Sequence, residues 1–171
     1  MAEDDRMGED LLADSKNQHE HAFVLEELLQ SLEGAATDIR APDRPLLMKL
    51  PNLQHLYTPV SAVVPKGSVL ALAERLHPTP AVAGFPRQEA LQFLREREHL
   101  DRGGYGGPVG WMDGNGDGEF AVGIRSAVLS GGHAAAFAGC GIVEDSDPES
   151  EYQESLLKLR PMLAALGAHD G

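Results

Sequence analysis

Two groups of acidic residues could do chemistry. Glu20, Val24, Leu28 and Leu32 are spaced four apart, so on a helix they share one slowly drifting stripe. The last three are apolar. A carboxylate closing such a stripe is costly unless it is paired, protonated or bound to a metal. It is also at home in a first helical turn, where the backbone dipole favours an anion and water reaches it. Glu151, Glu154 and Lys158 stand at i, i+3 and i+7, again one helix face. Two readings fit them. One is a surface Glu154–Lys158 pair, worth a few tenths of a kcal/mol. The other brings oxygens from both helices onto a hard cation such as Mg²⁺, which keeps several waters and binds a substrate anion as well.

Other tempting arrangements fail on their own chemistry. Asp113, Asn115, Asp117 and Gly118 match the opening of a calcium loop, but its closing carboxylate position is Ile124. A hairpin turn is the better reading. Gly103-Gly-Tyr-Gly-Gly lacks the Lys-Ser/Thr of a phosphate loop and suits tight reversals of the chain. His19 and His21 flank Glu20, but neighbours on a helix diverge, so at most one could join it. Cys140 has neither a CxxC partner nor a basic residue beside it, and reads as an inert thiol in an apolar strand.

The elements that must carry these residues follow from periodicity. Helical spacing of Phe23, Val24, Leu25, Leu28, Leu29 and Leu32 predicts a helix capped by Asp14 or Ser15 and ended by Gly34. Residues 46–57 read as one short extended segment interrupted by Pro51. Ser68 to Leu76 reads as a helix stopped by His77-Pro-Thr-Pro, and Pro86 to Arg97 as another. Strands are expected at Pro108–Met112, Glu119–Leu129 and Ala134–Val143, with turns at 113–118 and 130–133. Pro148 to Leu166 is a long amphipathic helix with Tyr152, Leu156, Leu159 and Leu163 on one stripe. Helices with an antiparallel meander give an α+β fold, an antiparallel sheet layered with helices.

Composition narrows the partners. The chain has 171 residues, with 27 Asp+Glu against 14 Lys+Arg and a formal net charge of −13. That excludes the basic face a nucleic-acid binder needs, and it disfavours anionic membrane surfaces. No apolar run reaches the roughly 18–20 residues of a membrane-spanning helix. The acidic start has no apolar signal core, and a single cysteine forms no internal disulfide, so a reduced cytoplasm is the expected location.

Six segments carry a resemblance. They are Ser15-Lys-Asn-Gln-His-Glu-His, Leu76-His-Pro-Thr-Pro-Ala-Val-Ala-Gly-Phe-Pro, Asp101-Arg-Gly-Gly-Tyr-Gly-Gly-Pro-Val-Gly-Trp, Gly118-Glu-Phe-Ala-Val-Gly-Ile-Arg-Ser-Ala, Phe137-Ala-Gly-Cys-Gly-Ile-Val and Glu151-Tyr-Gln-Glu-Ser-Leu-Leu-Lys. In this order they resemble isochorismate synthases of the chorismate-utilising superfamily, over the C-terminal half of that enzyme fold. Gly84-Phe-Pro-Arg stands where anthranilate and aminodeoxychorismate synthases tend to carry Gly-Ala-Pro-Lys. The resemblance divides the chain into an acidic N-terminal segment, 1–14, and a partial chorismate-binding domain, 15–171.

The resemblance implies roles. Glu20 and Glu154 become Mg²⁺ ligands, with Glu151 supporting the metal. Arg125 and Lys158 become cationic grips on substrate carboxylate. Thr79, Ile124 and Gly139 line the substrate, and His55 lies near the reacting ring as a catalytic residue. The implied reaction turns chorismate into isochorismate by adding water at one ring carbon and losing hydroxide at another. Its product feeds catecholate siderophores, menaquinone or salicylate in this family. The family's general-base lysine and general-acid glutamate lie upstream of the segment matched, so activity is expected to need them. The alternative expectation is a non-catalytic half that pairs with a separate N-terminal half. Asn17 replaces a usual aspartate and Cys140 a usual small residue.

Overall fold

The computed structural model describes residues 2–50 and 53–168. The chain forms two compact units, Met1–Thr79 and Pro80–Gly171.

In the first unit, α1 (Ala2–Ala13) and α2 (Ser15–Leu32) follow one another around Asp14. The Asp14 carboxylate accepts the Asn17 amide at 2.7 Å, the expected cap. At the other end, Gly34 takes φ +72°, the left-handed backbone that ends helices cheaply only at glycine. Arg75 of α3 (Val69–Leu76) closes the same end, donating to the Ser31 carbonyl and, at 3.0 Å, to that of Glu33. Ser68 caps α3 by accepting the Ala71 amide at 3.3 Å.

The extended stretch 46–57 is two strands rather than one. β2 (Leu46–Leu50) and β3 (Leu53–Tyr57) pair antiparallel, from Leu46 opposite Tyr57 to Leu50 opposite Leu53. Pro51 falls outside the described residues. The acidic segment at the N-terminus is helical, and its charges are used. Lys49 pairs with Asp4 at 3.0 Å and Asp5 at 2.5 Å, while Gln54 donates to the Asp4 carbonyl at 2.8 Å. These contacts fasten α1 to the hairpin. A second pair, β1 (Thr37–Arg40) with β4 (Ser61–Val63), was not expected from the sequence.

In the second unit, α4 (Pro80–Ala83) and α5 (Arg87–Arg97) precede two hairpins. β5 (Pro108–Met112) pairs with β6 (Gly118–Val122), and β7 (Ser126–Ser130) with β8 (His133–Phe137). The Asp113 carboxylate accepts the Asn115 amide at 2.8 Å and that of Asp117 at 3.0 Å, so the acidic loop closes a turn, as the missing final ligand implied. The expected strand 119–129 is broken at Gly123–Arg125. There Gly123 pairs with the glycine-rich loop, and Arg125 takes φ +48°. The break makes two separate two-stranded sheets where a continuous meander was expected. The strand expected over 134–143 ends at Phe137, leaving Cys140 in the connection to α6 (Pro148–Ala165). Asp147 caps α6, accepting the Ser150 amide at 2.9 Å.

The hydrophobic interior is thin. Among the described residues only Leu32 and Ala83 are buried apolar side chains, while Trp111, Leu129 and Ile142 are 59%, 69% and 70% exposed. On α6, Tyr152 and Leu156 lie on the surface. The chain exposes 12584 Å². Two separate compact globules of half its mass would together expose about 9,800 Å². Large apolar side chains are accordingly open in both units, Leu46 and Tyr57 in the first and Trp111 and Leu129 in the second. No helix among the described residues is long and apolar enough to cross a membrane.

Candidate functional site

Glu151, Glu154 and Lys158 all lie on α6 of the second unit. Pro148, Glu149 and Glu151 lie in the first turn of this helix, beyond the Asp147 cap. Glu151 is its buried residue and the one buried charged residue among those described. Glu154 lies on the same face one turn on, and its Oε1 stands 2.6 Å from Lys158 Nζ. Glu154 remains half exposed. The surface-pair reading of Glu154 and Lys158 is thus realised in geometry, yet the pair continues a face that begins with a buried carboxylate.

Cys140 was read as an inert thiol in a strand. It lies instead against the start of α6, where its thiol donates to the Glu151 carbonyl at 3.3 Å. Burial pushes its pKa up, helped by hydrogen bonding to Glu151 and by the negative charges of Glu151 and Glu154, with Lys158 opposing. The thiol form persists, so Cys140 is a poor nucleophile.

Arg125 and Ile124 occupy the break between β6 and β7. A non-glycine residue at φ +48° costs roughly 1 kcal/mol or more. The half-buried Arg125 guanidinium has no hydrogen-bond or ion-pair partner among the described residues. A strained backbone holding an unpaired fork of donors suits an incoming planar anion. Gly139 lies just beyond β8, and a Cβ there would meet the Tyr105 hydroxyl at 2.9 Å. Tyr105 stacks on Phe137, ring centres 5.7 Å apart. Sequence reading missed Tyr105; its place between two pairs of glycines was the available signal.

The remaining residues named from sequence lie in the first unit. Glu20 is exposed near the start of α2 and pairs with Lys16 at 3.8 Å. It begins the stripe whose far member, Leu32, is buried. Because α2 starts at Ser15, Glu20 falls in the second turn, so the expected first-turn position is not realised and water rather than the helix dipole accommodates the charge. His21 turns away to Thr58, Nε2 to Oγ1 2.7 Å, and burial lowers its pKa. His55 is half-buried on β3 opposite Met48. Thr79 is the last residue of this unit. Among the described residues, no three His, Cys, Asp or Glu side chains gather as a group able to hold a metal ion. The donors named for Mg²⁺ are nevertheless all hard carboxylate oxygens, the type that ion takes, and it fills its remaining positions with water and substrate oxygens.

A family model described as "Chorismate binding enzyme" matches residues 1–167. The chain belongs to the chorismate binding enzyme family. Among curated members of this family it is 47% identical over 170 residues to a salicylate biosynthesis isochorismate synthase of Pseudomonas aeruginosa, covering 99% of this chain and 36% of that protein. It is 46% identical over 166 residues to isochorismate synthase MenF of Bacillus subtilis, covering 96% and 35%. A crystal structure described as a 2,3-dihydroxybenzoate-specific isochorismate synthase, DhbC, of Bacillus anthracis matches with TM-score 0.92 and 39% identity, covering 98% of this chain and 45% of that one. The α+β fold of the C-terminal part of chorismate binding enzymes is thereby shown for this chain. The chain spans about two fifths of the length of the relatives it matches.

Proposed function

We propose that this chain is the C-terminal, substrate- and metal-holding portion of an isochorismate synthase, an isomerase that moves a hydroxyl on the chorismate ring. The observation that carries this reading is the face of α6, where buried Glu151 leads to the Glu154–Lys158 pair. It lies in a chain whose relatives are named isochorismate synthases.

Glu154 and Glu20 would hold Mg²⁺, with Glu151 supporting it. Bound there, the ion neutralises the ring carboxylate of chorismate. Arg125 offers two parallel donors to a carboxylate, which fixes its plane as well as its charge. Lys158 contributes a point charge one helical turn from Glu154 and keeps the substrate anion beside the acidic face. Ile124, Gly139 and Thr79 shape the wall, and His55 serves beside the reacting ring. Water activation and protonation of the departing hydroxyl belong to a lysine and a glutamate of the N-terminal portion. Each such group typically supplies about 10²–10⁴-fold. The product would serve siderophore, menaquinone or salicylate synthesis.

A second reading has its own support in the uncovered apolar surface. The chain is then a non-catalytic half that holds chorismate and Mg²⁺ and turns over only with a separate N-terminal half. One assay decides. Purified chain is incubated with chorismate and Mg²⁺, alone and with an N-terminal half from a relative, and both isochorismate formation and chorismate binding are measured. Turnover only in the mixture supports the separate-half reading, and binding without turnover in either condition supports the first. Robust turnover by the chain alone contradicts the need for an upstream acid and base, and no chorismate binding in either condition contradicts both readings.

A further inference from the structure

Arg102 lies outside the residues assigned above, yet four interactions converge on it. Its Nε and Nη2 form a fork on the Glu98 carboxylate at 2.7 and 2.9 Å. Its Nη1 donates to the Val82 carbonyl of α4 at 3.1 Å. Its guanidinium carbon stands 5.7 Å from the centre of the Tyr105 ring. The guanidinium and its carboxylate partner are both about three-quarters covered. One side chain thus ties the end of α5, the short helix α4 and the glycine-rich loop 103–107 together.

That loop reaches two parts of the proposed substrate wall. The Gly106 amide donates to the Gly123 carbonyl at 2.8 Å, and the Gly123 amide to the Gly107 carbonyl at 2.8 Å. Ile124 and the strained Arg125 follow directly. On its other side, Tyr105 stacks on Phe137 and its hydroxyl fills the space over Gly139. The loop also sits close to its anchors. A Cβ at Gly106 would lie 2.7 Å from Val82 Cγ1 and 3.7 Å from Arg102 Nη1.

We propose that Arg102, locked by Glu98, is a positioning residue: it fixes the glycine-rich loop and so sets Ile124–Arg125 on one side and Tyr105–Gly139 on the other. It touches no substrate itself. The proposal rests on the functional reading above. Lysine cannot replace it, because a single ammonium cannot fork onto Glu98, reach Val82 and lie against Tyr105 at once.

The test compares the chain with its Arg102→Lys and Glu98→Gln variants by two measurements. The first is the backbone amide resonances of Ile124 and Gly139 without ligand. The second is chorismate affinity in the presence of Mg²⁺. Both resonances should shift in both variants, and affinity should fall about ten-fold, the equivalent of roughly one charge-assisted hydrogen bond lost at Arg125. The double variant should be little worse than Arg102→Lys alone, because Glu98 acts through the fork that Arg102→Lys already breaks. Folded variants with unmoved resonances overturn the proposal. Shifted resonances with unchanged affinity also overturn it, leaving Arg102 a structural residue. A wild-type chain that binds no chorismate contradicts the functional reading instead, and the resonances still decide whether Arg102 sets the wall. Glu98→Gln, the milder change, keeps the test open if Arg102→Lys does not fold.

Discussion

Glu154 and Lys158 face each other at 2.6 Å across one turn of α6, three residues beyond the buried Glu151. As a half-exposed pair it adds only about 0.3–0.5 kcal/mol to stability. Glu154→Gln should therefore leave the melting temperature within about 2 °C of wild type, while Mg²⁺-dependent chorismate binding is lost. Calorimetric scanning and ligand titration on the same sample check both halves. A large loss of stability would make the pair structural.

Arg125 sits in a backbone conformation that glycine adopts without strain. Arg125→Gly should keep or raise stability, by up to about 1 kcal/mol, while chorismate affinity falls sharply. Arg125→Lys should weaken affinity less, because charge remains when the fork is lost. Denaturant unfolding and substrate titration separate the two effects. A glycine variant that is destabilised and still binds would place Arg125 among structural residues.

Arg75 closes the C-terminal end of α2 through the Ser31 and Glu33 carbonyls. Arg75→Met removes these donors and retains much of the apolar stem. It should lower stability by about 1 kcal/mol, less than a buried charged bond would, because Arg75 is exposed. Hydrogen exchange should rise first in the last turn of α2. Unchanged protection there would show that water satisfies those carbonyls equally well.

The hydrogen bond from Lys49, the largest cause, lowers the Asp4 pKa, with Gln54 and the Lys49 charge assisting and burial opposing. A depressed carboxylate pKa stabilises the folded state above the unfolded value of 3.8, and that contribution disappears as pH falls through the folded pKa. Exchange protection of α1 should therefore decline below about pH 4, and Lys49→Gln should produce the same decline at neutral pH. Protection that persists in the variant would assign the docking of α1 to its apolar contacts.

Local chemistry was legible in the sequence because its cause is local. Asp14, Ser68 and Asp147 bond amides three residues away, and the 113–118 turn closes on Asp113. The partition of the strands was not legible. Periodicity carries 119–129 straight through, whereas the backbone breaks where Gly123 bonds to a loop sixteen to seventeen residues earlier in the chain. The pairing of Thr37 with Val63 depends likewise on distant segments. On α6, spacing foretold that Glu151, Glu154 and Lys158 share one face. Cys140 and Tyr105 join the surroundings through contacts that cross the connection between β8 and α6, and no spacing rule reports those.

In the proposed site Glu154 of α6 and Glu20 of α2 hold the ion that fastens chorismate. Titration calorimetry of chorismate into the chain, with and without Mg²⁺, tests this when repeated with Glu154→Gln and Glu20→Gln. Binding that requires Mg²⁺ in the wild type and is lost in both variants is the predicted result. Equal affinity with and without the ion, or affinity unaltered by either substitution, would contradict it.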